Sequence, residues 1–79
     1  SQHSLEQAQL NKIRLIIEKA RISSSDHVLE IGSGWGSFAI EAAKMTGCKV
    51  TSITLSKEQL AEATAKIKGT TLESLIEFK

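Results

Sequence analysis

The 79-residue sequence predicts an α/β fold in which one helix precedes a β-α-β-α-β unit with three parallel strands in the order 3-2-1. Segments in which apolar residues recur at helical spacing alternate with short runs rich in Val, Ile and Thr. The links between them are short, which favours right-handed crossovers and a parallel sheet. The first strand runs directly into a glycine loop and a further helix, the arrangement found where α/β sheets bind nucleotide-like ligands.

The first helix is predicted at residues 5–21. A capping-box pattern begins at Ser4, where a serine is followed three residues later by a glutamine. Apolar residues then recur at helical spacing, and Leu15 and Ile16 widen the apolar stripe. This helix is therefore expected to lay one side against the rest of the fold.

Two further helices connect the strands. One is predicted at residues 36–46, with Glu41 on its polar side and Gly47 as the C-terminal cap. The other is predicted at residues 57–68, after a second capping box that begins at Ser56. Both are short, as expected for helices that cross over between neighbouring parallel strands.

The three strands are predicted at residues 27–31, 49–55 and 75–78. Crossovers of one hand that step in one direction place both connecting helices on the same face of the sheet. The opposite face and the free edge of the first strand then have nothing in this sequence to cover them, whereas parallel sheets are normally covered on both faces. The sequence therefore predicts the first half of a doubly wound domain.

Composition excludes several classes of function. The net charge is +1 and the basic residues are scattered, so there is no electrostatic footprint for nucleic acid. No apolar run approaches the roughly 20 residues of a membrane span, and the polar start without a signal-peptide core favours a cytoplasmic protein. Cys48 is expected to be a small buried hydrophobe. His27 and His3 lack a carboxylate or cysteine at useful spacing, so neither is expected to bind metal or catalyse.

The glycine loop at residues 30–36 is the main functional signal. A phosphate-binding P-loop requires a Gly-Lys-Ser/Thr ending, which is absent. A dinucleotide site prefers Gly-x-Gly-x-x-Gly/Ala and an acid at the end of the second strand, but Ser37 and Thr54 occupy those places. The pattern acid-x-Gly-x-Gly-x-Gly instead fits S-adenosylmethionine, which carries no phosphate and needs close approach to bare main chain.

Several side chains near this loop are candidates for ligand contact. Glu30 can attract the ligand's ammonium group or remain a solvated carboxylate. Trp35 can form a wall of the pocket, although packing of the loop onto the sheet is favoured. Thr54 and Gln59 can hold the ribose hydroxyls. Ser56 is expected to cap the following helix, and the alternative role of Gln59 is to complete that cap. The candidate cofactor-binding residues are Glu30, Ile31, Gly32, Ser33, Gly34, Trp35, Gly36, Thr54, Leu55, Ser56 and Gln59.

Two segments together resemble a known family. Val-Leu-Glu-Ile-Gly-Ser-Gly-Trp-Gly at residues 28–36 and Ile-Thr-Leu-Ser-Lys-Glu-Gln at residues 53–59 are similar to the cyclopropane-fatty-acyl-phospholipid synthase family, which includes the mycolic acid cyclopropane synthases. The resemblance implies a partial, Rossmann-like class I methyltransferase domain that binds S-adenosylmethionine through both segments. It also implies that Thr54 and Gln59 hold the ribose. Ser33 stands where many members have Cys, a departure expected to have little effect because this position contributes mainly backbone.

The resemblance further implies transfer of a methyl or methylene group to unsaturated acyl chains of lipids by the parent enzyme. A cytoplasmic parent is expected, with a peripheral location at the membrane left open as the alternative. Family segments that act in catalysis have no counterpart in this sequence, so no residue here is assigned a catalytic role. A methyltransferase of a small amine acceptor and a dinucleotide-binding module are alternatives. So is a non-catalytic fragment that self-associates through its exposed sheet face or edge.

Overall fold

A computed structural model describes residues 2–79, with side chains from Ser4 onward. The expectation for His3 concerns a side chain outside this range. The elements in chain order are α1 (Gln2–Lys19), β1 (His27–Ile31), α2 (Ser37–Thr46), β2 (Lys49–Ile53), α3 (Lys57–Ile67), a 3-10 turn (Thr71–Ser74) and β3 (Ile76–Phe78).

The three strands form one parallel sheet with β2 in the centre. Val28, Val50 and Ile76 are aligned across it. This is the 3-2-1 order read from the opposite edge, so the predicted fold class is confirmed. Because all three strands point the same way, their carboxyl ends and the loops that follow them lie along one edge of the sheet.

The two faces of the sheet differ sharply in exposure. On one face, Val50 and Ile76 are buried with residues of α1, α2 and α3 in a single core. On the other face, Leu29 and Ile31 are 63% and 75% exposed. Side chains alternate along a strand, so this contrast shows that the helices cover one face only, as the crossover argument predicted.

Helix α1 packs on α2 through the buried side chain of Ile17 and an ion pair. Arg14 Nε lies 2.8 Å from Glu41 Oε2, and Glu41 is buried. The prediction that Glu41 lies on a polar side of α2 was wrong, because α1 covers that side. Leu15 and Ile16 remain 49% and 47% exposed, so the apolar stripe of α1 is narrower than predicted.

The ends of the elements depend on local chemistry. Helix α1 begins at Gln2, ahead of the expected capping box, since no glycine or proline interrupts the chain there. It stops at Lys19, and Arg21 adopts a left-handed φ of 54°. Strand β2 ends at Ile53, two residues earlier than predicted, because the chain turns there toward α3.

The 3-10 turn before β3 was not predicted. The hydroxyl of Thr70 accepts a hydrogen bond from the Leu72 amide and caps the turn. Leu72 and Leu75 pack against the core from this turn. The turn therefore continues the apolar cover of the sheet between α3 and β3.

Candidate functional site

An open cavity of about 480 Å³ lies at the carboxyl ends of β1 and β2. Its lining residues are Ile31, Gly32, Ile53, Thr54, Leu55, Ser56 and Gln59. All but Ile53 were predicted from the sequence. Ile53 is aligned with Ile31 across the two strands, so their shared register was the signal that could have identified it. The structure thus brings the two candidate segments together around one cavity.

A second depression, of about 350 Å³, lies near the amino ends of the strands and includes His27 and Lys49. Ligands of parallel α/β sheets bind outside the carboxyl ends of the strands, where loops and helix amino termini converge. The cavity beside the glycine loop is therefore the candidate site.

The glycine loop begins with its main chain fastened to β2. The amides of Gly32 and Ser33 both donate to Ile53 O, at 2.7 and 3.1 Å. Gly32 and Gly34 have φ values of +87° and +55°, which favour glycine. A Cβ added at either position would meet no atom within 4 Å. Their main chain therefore faces open space, where a ligand can lie directly against it.

Gly36 has a different role from the other two loop glycines. A Cβ at this position would lie 3.1 Å from both Ala63 Cβ on α3 and Phe78 Cζ on β3. Gly36 also has a φ of +93° and provides the amino-terminal cap of α2. This glycine allows the end of the loop to pack closely on the fold.

Glu30 lies on the helix-covered face of β1, aligned with Ser52 of β2. Ser52 is fully buried, and its Oγ donates a 2.6 Å hydrogen bond to Glu30 Oε1. Burial raises the pKa of the Glu30 carboxyl, and the bond from Ser52 partly opposes that rise. Glu30 is the first residue of the loop segment, and it lies outside the lining of the cavity.

The segment after β2 forms a chain of hydrogen bonds. Ser56 Oγ accepts a hydrogen bond from the main-chain N–H of Gln59 and caps α3, as predicted. The other half of the capping box is absent, because Gln59 Oε1 accepts instead from Thr54 Oγ1, at 3.2 Å. Thr54 Oγ1 in turn accepts from the Ser56 amide. These bonds hold the Thr54 and Gln59 side chains beside each other at the cavity.

Trp35 and Ser33 differ in burial within the loop. Trp35 is 47% exposed, so about half of its surface faces solvent. The expectation that it packs the loop onto the sheet stays a prediction. Its carbonyl oxygen accepts a 2.8 Å hydrogen bond from Lys66 Nζ of α3, a contact that the sequence reading missed. Ser33 Oγ is buried and has no hydrogen-bond partner among the described residues. A bound molecule or water that reaches this hydroxyl would satisfy it.

Among the described residues, the remaining polar and sulfur groups do not form a second candidate site. Cys48 is buried in the core as a free thiol, as predicted. Within residues 2–79 as described, no three metal-binding side chains come together. In the same part of the chain, no helix combines the length and apolar character needed to cross a bilayer. The arrangement is suited to binding a partly apolar ligand against open main chain.

Comparisons with known proteins agree with this geometry. The model of the family described as mycolic acid cyclopropane synthetase matches residues 1–78. A protein of Pseudomonas putida described as "Probable fatty acid methyltransferase" is 36% identical over 77 residues, 98% of this chain. The chain spans only 20% of that relative's length.

Two solved structures share the fold. A mycolic acid cyclopropane synthase in its apo form superposes with a TM-score of 0.84 at 26% identity, over 94% of this chain and 27% of that one. An RNA methyltransferase from Salinibacter ruber in complex with S-adenosyl-L-homocysteine gives a TM-score of 0.83 at 25% identity, over 87% of this chain and 45% of that one.

Proposed function

The chain belongs to the mycolic acid cyclopropane synthetase family, and we propose that it forms the S-adenosylmethionine-binding part of a methyltransferase. The observation that carries this proposal is the cavity between the glycine loop and the Thr54–Gln59 segment. The cavity combines open main chain at Gly32 with apolar surface and three polar side chains, those of Thr54, Ser56 and Gln59. The complex of the Salinibacter ruber enzyme with S-adenosyl-L-homocysteine supports the choice of ligand.

The residues present fit an adenosyl sulfonium ligand. Gly32 and Gly34 leave room for main-chain contact because no atom lies within 4 Å of their Cβ positions. Thr54 Oγ1 uses its proton on Gln59 Oε1, so the Gln59 amide group remains as a donor for a ribose hydroxyl. The apolar residues Ile31 and Leu55 offer surface to the adenosyl group.

Glu30 acts on the other end of the ligand in this proposal. One carboxylate oxygen is held by Ser52, and the second is left to attract the ammonium group of the methionine moiety, directly or through water. Ser33, Trp35, Gly36 and Ser56 contribute the loop and cap conformations that surround the ligand. When bound, S-adenosylmethionine supplies an electrophilic methyl group, and these residues orient it.

The acceptor proposed for the whole protein is an unsaturated acyl chain of a lipid. The relative from Pseudomonas putida, described as a fatty acid methyltransferase, supports this choice. A small-molecule acceptor, such as an amine, is the second candidate. The structure described as an RNA methyltransferase shows that a similar fold occurs with an acceptor of another class, so the fold by itself does not specify the acceptor. Turnover assays with unsaturated phospholipid and with amine acceptors distinguish the two.

Substitution of Gly32 tests the site, with Gly69 as a matched control. The two glycines have similar φ values, +87° and +77°, and open space where a Cβ would lie. Alanine at either position therefore costs about the same, roughly 1–2 kcal/mol, for a left-handed conformation. Only Gly32→Ala places a methyl group in the cavity, so we expect it to weaken S-adenosylmethionine binding by about tenfold or more.

Isothermal titration calorimetry of both variants and the unmodified protein measures this difference. Gly69→Ala is expected to lose similar stability and keep its affinity, because Gly69 lies at the far end of α3. Equal affinities for all three proteins would reject the assignment of the cavity, and a total absence of heat with the unmodified protein would reject the ligand.

A further inference from the structure

Lys66 reaches from α3 to the main chain of the glycine loop. Its Nζ donates a 2.8 Å hydrogen bond to the carbonyl oxygen of Trp35. The hydrogen bonds of α2 begin at the next residue, where Gly36 O accepts from the main-chain N–H of Ile40. The Trp35 carbonyl therefore lies outside the α2 hydrogen-bond ladder, and a side chain from another helix satisfies it.

Ala63 supports the same end of the loop. It is fully buried, and its Cβ would be 3.1 Å from a Cβ built on Gly36. Ala63 and Lys66 are three residues apart on α3, so they lie on one face of that helix. This face packs beneath Gly36 and binds the carbonyl of Trp35.

The loop thus has two anchors of different chemistry. At its start, the Gly32 and Ser33 amides bind Ile53 O. Such main-chain bonds do not depend on the side chains at those positions. At its end, the anchor is the charge-assisted bond from Lys66, an exposed side chain whose charge water partly screens. The loop contains three glycines with positive φ, and one of them, Gly34, lies between the two anchors. Glycine loses more conformational freedom than other residues when its backbone is fixed, so the order of the loop depends on these anchors.

We propose that Lys66 is a positioning residue for the binding of S-adenosylmethionine. From α3, its side chain holds the glycine loop in the conformation that binds the ligand. The inference rests on the proposed function, because the loop is taken to bind S-adenosylmethionine. A loop ordered in advance loses less conformational entropy when the ligand arrives. Removal of the Lys66 ammonium group therefore weakens the binding of S-adenosylmethionine, even though Lys66 lies outside the lining of the cavity.

The test compares three variants of the full-length protein. Lys66→Met keeps the length of the side chain and removes its donors, while Lys66→Arg keeps both charge and donors. Lys68→Met removes a lysine two residues away that is exposed, as Lys66 is. Its side chain makes no hydrogen bond to the loop within the described part of the chain. Hydrogen exchange over residues 32–39, followed by mass spectrometry, reports the order of the loop without ligand. Calorimetry with S-adenosylmethionine reports affinity.

We expect Lys66→Met to speed exchange in the loop and raise the Kd by roughly five- to tenfold. Lys66→Arg is expected to keep the exchange rate and the Kd close to those of the unmodified protein. Lys68→Met is expected to change neither the exchange rate nor the Kd. If the unmodified protein binds and Lys66→Met binds equally well, the inference is overturned, whatever the exchange shows. If the unmodified protein fails to bind, the proposed function is overturned and the inference with it.

Discussion

Glu30 shows at the scale of single residues how a carboxyl group proposed for ligand binding can lower the stability of the fold. Burial raises the pKa of its carboxyl above the ordinary value of 4.5. The ionised form is therefore disfavoured in the folded state relative to the unfolded chain. The destabilisation is absent below the unfolded pKa, grows as the pH rises from that value through the folded pKa, and is complete only above the folded pKa.

Glu30→Gln is expected to raise stability at neutral pH while it weakens S-adenosylmethionine binding. The amide keeps an acceptor for Ser52 Oγ but carries no charge that must be buried. The gain in the free energy of unfolding should vanish below about pH 4, where the Glu30 carboxyl of the unmodified protein is mostly protonated in the folded and the unfolded state. Urea denaturation as a function of pH measures it, with Glu62→Gln on the exposed side of α3 as the control. A gain that stayed constant across pH would contradict the role of ionisation.

Helix α1 belongs to the element scale, because it lies outside the β-α-β-α-β unit and is attached mainly through α2. Its attachment consists of the buried Ile17, the partly buried Ile13 and the Arg14–Glu41 ion pair. Glu41 is buried, whereas the Arg14 side chain is 45% exposed. Water thus stabilises part of the arginine charge, but the carboxylate depends on its partner.

Arg14→Met is expected to destabilise the fold by about 1–2 kcal/mol, less than for a fully buried pair, because Arg14 is half-exposed. The loss arises from the unpaired Glu41 carboxylate, so adding Glu41→Gln should recover part of it. Urea denaturation of the single and double variants measures both effects. Lys12→Met, on the exposed side of α1, is the control. Equal stability of Arg14→Met and the unmodified chain would mean that the ion pair contributes nothing to docking α1.

At the scale of the whole molecule, the unequal cover of the sheet is the dominant feature. Leu29 and Ile31 present apolar surface on the bare face, and β1 pairs with β2 alone among the described strands. Exposed apolar patches and free strand edges both promote association. The 79 residues alone thus leave a sheet that favours contact with another surface.

We expect the isolated 79-residue chain to self-associate through this face. Leu29→Gln should shift it toward monomer, because Leu29 is 63% exposed and lies outside the lining of the cavity. Leu15→Gln is a matched control, since it removes the same apolar group from an exposed site on α1. Light scattering measures the mass, and circular dichroism checks that the fold is retained. A monomer at all concentrations, or equal effects of both variants, would contradict association through the sheet.

Features that depend on neighbours in the sequence were predictable. The positive φ values of Gly32, Gly34 and Gly36 follow from a strand that turns at once into a helix. The cap that Ser56 provides for α3 follows from the residues within one turn of it. Alternation of strands and helices then determined the parallel order of the sheet and the helix-free face.

Contacts between distant segments were decided by the tertiary structure. The burial of Glu41 depends on where α1 packs, because its partner Arg14 lies 27 positions away in the sequence. The contact between Lys66 and Trp35 O joins residues 31 positions apart. Periodicity identifies the side of a helix that is apolar, but it does not specify which polar side chain meets which carbonyl. By itself, the sequence determined the α-helices and strands, their order and the glycine loop. Packing of the helices decided which contacts hold that loop in place, because such contacts join residues far apart in the sequence.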